Sequence, residues 1–204
     1  KINNLKSSFL VFNRSFNLAS FGFCLPNKGF IELIRAVHIM RKLGYNVNLK
    51  LYTSIHSSPE SAPFLKTLED LVIELSLSKF IIIFSDYLDQ DRILNELSKF
   101  DLLVYPYQKT NESSSAAVRI GIASGSPVIV SPLSIFDDLT DRVDKLPGSS
   151  VDLIVEGIVP LIGRKDYQKN NKKRIKLKLW KDQHDFLVVA RRLKNIIRSL
   201  EVNS

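Results

Sequence analysis

Cysteine is almost missing from this chain of 204 residues, with Cys24 the only one. That excludes an internal disulfide framework and fits a reducing compartment, so a cytoplasmic location is expected. Histidine is scarce as well. His38, His56 and His184 are far apart and follow no ligand spacing, so no protein metal site is expected. Cys24 has no CxxC partner and reads as a core or loop cysteine. No apolar run approaches the roughly 18 residues that span a bilayer. The first 20 residues lack a compact apolar core behind a basic start, so nothing there reads as a signal peptide. Two phosphate signatures are absent, GxGxxG and GxxxxGK[ST]. Without the first, a nicotinamide-binding dehydrogenase domain loses its main support.

What is present is the composition of a globular chain, 45% apolar and 25% charged, long enough for one well-buried domain. The formal charge of +8 is unevenly placed. Residues 164–204 hold 13 Lys and Arg against 4 Asp and Glu, and residues 1–163 hold 16 against 17. The basic run includes Lys172, Lys173, Arg174, Lys176, Lys178 and Lys181, with Trp180 the one aromatic among them. Nucleic acid would favour more stacking residues between the cations, so it is not the expected partner. An anionic membrane surface and a merely solvated face both stay open. The chain opens on Lys1 and its single Met is Met40, so a piece of a longer protein is expected.

Hydrophobic period organises the body. Strands are predicted at 17–21, 47–51, 80–84, 101–105 and 128–130, with a short one at 143–146. Polar residues alternate through 47–51, which suggests a strand near a sheet edge, whereas the Ile-rich run 80–84 reads as buried. Helices are predicted from Phe30 to Gly44, across 64–75, 89–98 and 150–162, and from the serines 113–115 to Gly125. A last amphipathic helix spans 186–200. Regular alternation with short connections predicts an α/β chain: a Rossmann-like, doubly wound parallel sheet with helices on both faces. The expected division is a lead-in segment from a preceding domain at 1–15, the Rossmann-like domain at 16–163, and a basic connector plus amphipathic helix at 164–204.

Residues 101–131, DLLVYPYQKTNESSSAAVRIGIASGSPVIVS, carry the chemistry. They read as strand, loop, Glu112, serine-rich helix start, helix, tight turn and strand. A helix start at the C-terminal end of a strand suits an anion. Ser113, Ser114 and Ser115 would offer backbone N–H groups and hydroxyls there. Glu112 would repel a diphosphate but can accept hydrogen bonds from sugar hydroxyls, so acid and phosphate cradle together point to a sugar nucleotide. The bland alternative, that Glu112 and the serines only cap a helix, stays open at this level. Gly22 and Gly29 flank the first strand–helix turn, FGFCLPNKGF, where Lys28 can reach a phosphate or sit as a solvated turn residue.

These stretches, with FSDYLDQDRI ahead of them, resemble the C-terminal domain of group 1 (family 4) glycosyltransferases of the GT-B fold over roughly residues 17–147. The resemblance implies two Rossmann-like domains facing across a cleft. The C-terminal one binds a UDP- or GDP-sugar, and a missing N-terminal domain binds the acceptor. It also implies transfer with retention, no required metal ion or other cofactor, and work at the inner membrane face on cell-surface polysaccharide or lipopolysaccharide. By position, Glu112 and Lys28 match the catalytic glutamate and the phosphate lysine. Gly22, Ser113, Ser114 and Ser115 match the donor and phosphate contacts, and Arg119 could add a second positive charge. Asp86, Tyr87 and Leu88 match the nucleobase loop. Two positions depart. Ile120 stands where the family's ribose-binding glutamate falls, and Phe23 where an arginine is common. They motivate an alternative, a non-catalytic sugar-nucleotide or partner-binding module.

Overall fold

The computed structural model describes residues 14–110, 112–164 and 186–201. Most of the 1–15 segment, Asn111, the basic connector with Trp180, and His184 lie outside the described residues. Six parallel strands form one sheet: β1 (Phe16–Phe23), β2 (Val47–Ser54), β3 (Ile81–Phe84), β4 (Leu102–Tyr105), β5 (Val128–Val130) and β6 (Asp144–Lys145). Their spatial order is β3-β2-β1-β4-β5-β6, so the chain reverses its direction of travel between β1 and β4. That reversal opens a crevice at the carboxyl ends of the central strands.

Five helices clothe the sheet: α1 (Phe30–Lys42), α2 (Ser61–Glu74), α3 (Gln90–Leu97), α4 (Ala116–Ala123) and α5 (Val151–Ile158). Successive strand residues supply opposite faces. Leu18, Leu49, Leu51, Leu102, Val104 and Ile129 join α1, α2 and α5 in one core. Ala19, Leu103, Tyr105, Val128 and Val130 join α3 and α4 in the other. The sheet is thus doubly wound, as the alternation predicts.

The two left-hand strands exchange their expected roles. β3 is the edge strand, with Ile82 58% exposed, and β2 is internal. The polar residues of β2 are satisfied by neighbours. Asn48 donates to the Asn17 side chain at 3.1 Å, and the Lys50 ammonium lies over the Tyr52 and Phe84 rings. The turn-rich stretch after β5 forms a short 3-10 helix, Ser134–Leu139, that buries Phe136. The predicted helix over 150–162 is α5 followed by a 3-10 turn, Val159–Leu161. The final helix, α6 (Phe186–Glu201), is present, and Leu187, Leu193, Ile196 and Leu200 on it are exposed.

Candidate functional site

The crevice at the β1/β4 reversal is a cavity of about 470 Å³. Its wall includes Gly22 and Phe23 at the end of β1 with Lys28 beyond it, Thr53 and Ser54 at the end of β2 with His56 beyond it, and Asp86, Tyr87 and Leu88 after β3. Tyr107, Glu112, Ser114 and Ser115 after β4, with Ala116, Ala117 and Ile120 on α4, complete the opposite side. Nearly all the sequence-predicted site residues therefore meet in one place. Ser113 and Arg119 are not part of the wall.

Lys28 ends a single 3-10 turn, Pro26–Lys28, that stops at Gly29. Gly29 has φ +74°, and a Cβ there would stand 1.9 Å from the Pro106 carbonyl oxygen. Only glycine lets the two backbones meet this closely. Gln108 N–H donates to the Asn27 carbonyl at 3.0 Å and stitches the same turn to the β4 exit. Lys28 is consequently drawn inward and is only 5% exposed. Its Nζ donates to both Glu112 carboxylate oxygens, at 2.9 and 3.2 Å, across 84 residues of chain. It also lies 4.2 Å from the Tyr107 ring centroid. The Tyr107 hydroxyl is 3.0 Å from the Ser115 Oγ, and its ring packs edge-on against Phe136. The reading of Lys28 as a solvated turn residue is excluded by this burial.

The helix start needs correcting. The cap is Ser115, whose Oγ accepts from Val118 N–H at 3.3 Å, and α4 begins at Ala116. Ser113 and Ser114 precede the helix and are exposed. The free amides at the positive end of α4 are therefore those of Ala116 and Ala117, not those of Ser113–115. The three consecutive serines each satisfy the cap preference, so sequence alone does not choose between them. On α4 the buried residues are Val118, Gly121 and Ile122, while Ala117 and Ile120 face the cavity half-buried. Gly22 has φ +153°, and a Cβ there would lie 3.7 Å from that of Ala117, so β1 passes close to this helix start.

Arg119 turns elsewhere. It donates to Asp138 after β5 and, at 3.5 Å, to the Ser115 carbonyl. Tyr87, also on the cavity wall, is 83% exposed. Cys24 is fully buried, and burial raises its thiol pKa. Tyr107 and His56 were not among the sequence-predicted site residues. The signal for Tyr107 is a second tyrosine directly behind the strand end. Nothing local marks His56.

No family model and no curated protein matches the chain by sequence. Solved structures do match by shape. A glycosyltransferase from Rickettsia africae superposes with a TM-score of 0.76 at 15% identity, over 94% of this chain and 49% of that one. The C-terminal domain of a group 1 glycosyl transferase, LpcC of Francisella tularensis, gives 0.66 at 20% identity, over 81% and 85%. Anabaena HepE, solved with UDP and glucose, gives 0.73 at 14% identity, over 91% and 48%. The fold of this chain is that of the Rossmann-like C-terminal domain of GT-B glycosyltransferases. The chain spans about half the length of the Rickettsia and Anabaena proteins.

Proposed function

We propose that this chain is the donor-binding half of a glycosyltransferase that takes a hexose-type sugar from a UDP- or GDP-sugar to a glycan or lipid-linked acceptor. One observation carries the reading. A buried lysine, Lys28, and the open amides of Ala116 and Ala117 border the same crevice at the strand reversal, and Glu112 holds the lysine there. The glutamate side chain is 44% exposed and the lysine 7%. Glu112 is therefore the partner free to move. An arriving diphosphate replaces it on Lys28, and the released carboxylate can accept from sugar hydroxyls.

In transfer, the bond between the sugar carbon and the phosphate oxygen breaks, with its electron pair leaving on the diphosphate. The acceptor oxygen bonds to that carbon, and its proton passes to the diphosphate. Lys28 and the α4 amides take up the growing negative charge without rearrangement, a role in which a single donor is worth about 10²–10³ in rate. Retention, independence from a metal ion, and a place in cell-surface polysaccharide synthesis at the inner membrane face belong to the same reading. Among the described residues no helix is long and apolar enough to cross a membrane. A non-catalytic module is the competing reading, favoured by Ile120, which presents no polar group to the cavity.

Calorimetry with UDP- and GDP-sugars on the wild type and Glu112→Gln tests the proposal. Binding by the wild type with a marked loss in the variant is expected. Binding of no donor moves the weight to the non-catalytic module. The 204-residue chain alone is expected to bind donor or nucleoside diphosphate yet transfer little, because acceptor groups are assigned to another domain. Turnover equal to that of a two-domain protein would overturn that part.

A further inference from the structure

The charge inside the cavity does not favour a diphosphate. Its wall carries one cationic side chain, Lys28, against two carboxylates, Asp86 and Glu112. An anionic ligand held there depends on neutral N–H donors as well. The α4 amides supply two, and the geometry of His56 supplies a third.

His56 lies two residues beyond β2 and lines the cavity. Three contacts fix it. Its main-chain N–H donates to the Oγ of buried Ser61 at 2.8 Å. Its Nδ1 accepts the Ser58 N–H at 3.1 Å. Its ring meets Phe23 edge-on, with centroids 5.0 Å apart. A ring nitrogen that accepts from an amide carries no proton, so the ring proton of the neutral imidazole is on Nε2. Nε2 has no partner among the described residues, which leaves one free donor on the ring. Its position is set by β1. Phe23 follows Gly22, and Gly22 faces Ala117 in the first turn of α4. β2 lies directly beside β1 in the sheet, so His56 neighbours the strand end that carries Gly22 and Phe23 and lines the same cavity as the α4 start.

We infer that His56 Nε2–H is a hydrogen-bond donor to the phosphate oxygens of a nucleoside diphosphate in this cavity, oriented by Ser58 and Phe23. Phosphate oxygens only accept, so a ring locked as a donor matches them. The inference rests on the donor-site reading above and adds a specific group to it.

The test is titration of UDP and GDP, and of uridine and guanosine, into the wild type, His56→Leu and His56→Gln. Loss of one hydrogen bond to a charged oxygen predicts that His56→Leu weakens diphosphate binding about 10- to 100-fold and leaves nucleoside binding unchanged. His56→Gln, which keeps an N–H at the end of the side chain, should recover most of the loss. Equal diphosphate affinity in wild type and His56→Leu overturns the inference. So does a proportional loss for the nucleosides, which would make His56 a base or ribose contact. Failure of the wild type to bind either diphosphate overturns the donor-site reading itself. A thermal melt of each variant separates a lost contact from a lost fold, and His56→Gln stands in if His56→Leu does not fold.

Discussion

Lys28 and Arg119 are both cations beside the start of α4, and their surroundings are opposite. Lys28 sits on a pinned turn, buried between the Tyr107 ring and Glu112, with its ammonium in the cavity. Arg119 lies about one turn into the helix, half-exposed, and is paired with Asp138 outside the cavity wall. Proximity along the chain to a helix start at the cavity does not bring a cation into that cavity. What matters is the face from which its backbone projects it and the partner already holding it. A pair such as Arg119–Asp138 is worth about 1 kcal/mol or less, because water screens both groups. Lys28 is shielded from water, so its contacts count for more.

The largest effect should come from the turn that makes Lys28 different. Gly29→Ala puts a Cβ against the Pro106 carbonyl at a positive φ. A loss of about 3 kcal/mol or more is expected, a fall in melting temperature on the order of 10 °C. A loss below about 1 kcal/mol would mean that the turn is not pinned. Next is Lys28→Met, which keeps the apolar stem and removes the charge. Nucleoside-diphosphate affinity should fall about 30-fold or more by calorimetry, as when one side of a shielded charge contact is removed. Arg119→Ala is the counterpart, with less than about a threefold change in the same titration and a stability change within about 1 kcal/mol. If the two variants lose affinity alike, the comparison is broken and Arg119 reaches the ligand.

The smallest effect concerns Glu96, a carboxylate outside the cavity wall. Glu96 accepts from Lys99 and from the Tyr52 hydroxyl at 2.7 Å, and these bonds hold its pKa below the usual carboxylate value. The same bond and burial raise the Tyr52 pKa, burial being the larger cause. A depressed folded pKa gives stability that is present above the unfolded value of about 4.3 and is lost as pH falls through the folded one. Melting temperature followed from about pH 6 to pH 3 should therefore fall less steeply in Glu96→Gln than in the wild type. Identical acid limbs would remove Glu96 from the acid response.

The same contrast shows what could be read from the chain. The site loops were legible because each lies at the end of a strand with a clear period, and 22, 28, 86–88 and 112–115 fall there by counting. The partner of Lys28 was not, since Glu112 is 84 residues away and no local pattern couples them. β2 and β3 were misplaced for a related reason. Asn48 and Lys50 look solvent-facing in sequence, yet Asn17 and two aromatic rings satisfy them inside the sheet. His56 carried no local signal, because its orientation comes from Ser58, Ser61 and Phe23 together.

By itself the sequence determined the alternation of elements, the doubly wound class, and the strand ends that line the cavity, because period, caps and glycine turns act over a few residues. The tertiary structure decided which serine caps α4, which cation enters the cavity, and which imidazole nitrogen is left as a donor. The cation depends on a contact between segments distant in sequence, the cap on a choice among neighbours that local preference leaves equal, and the imidazole on a short-range bond that only the folded loop geometry makes.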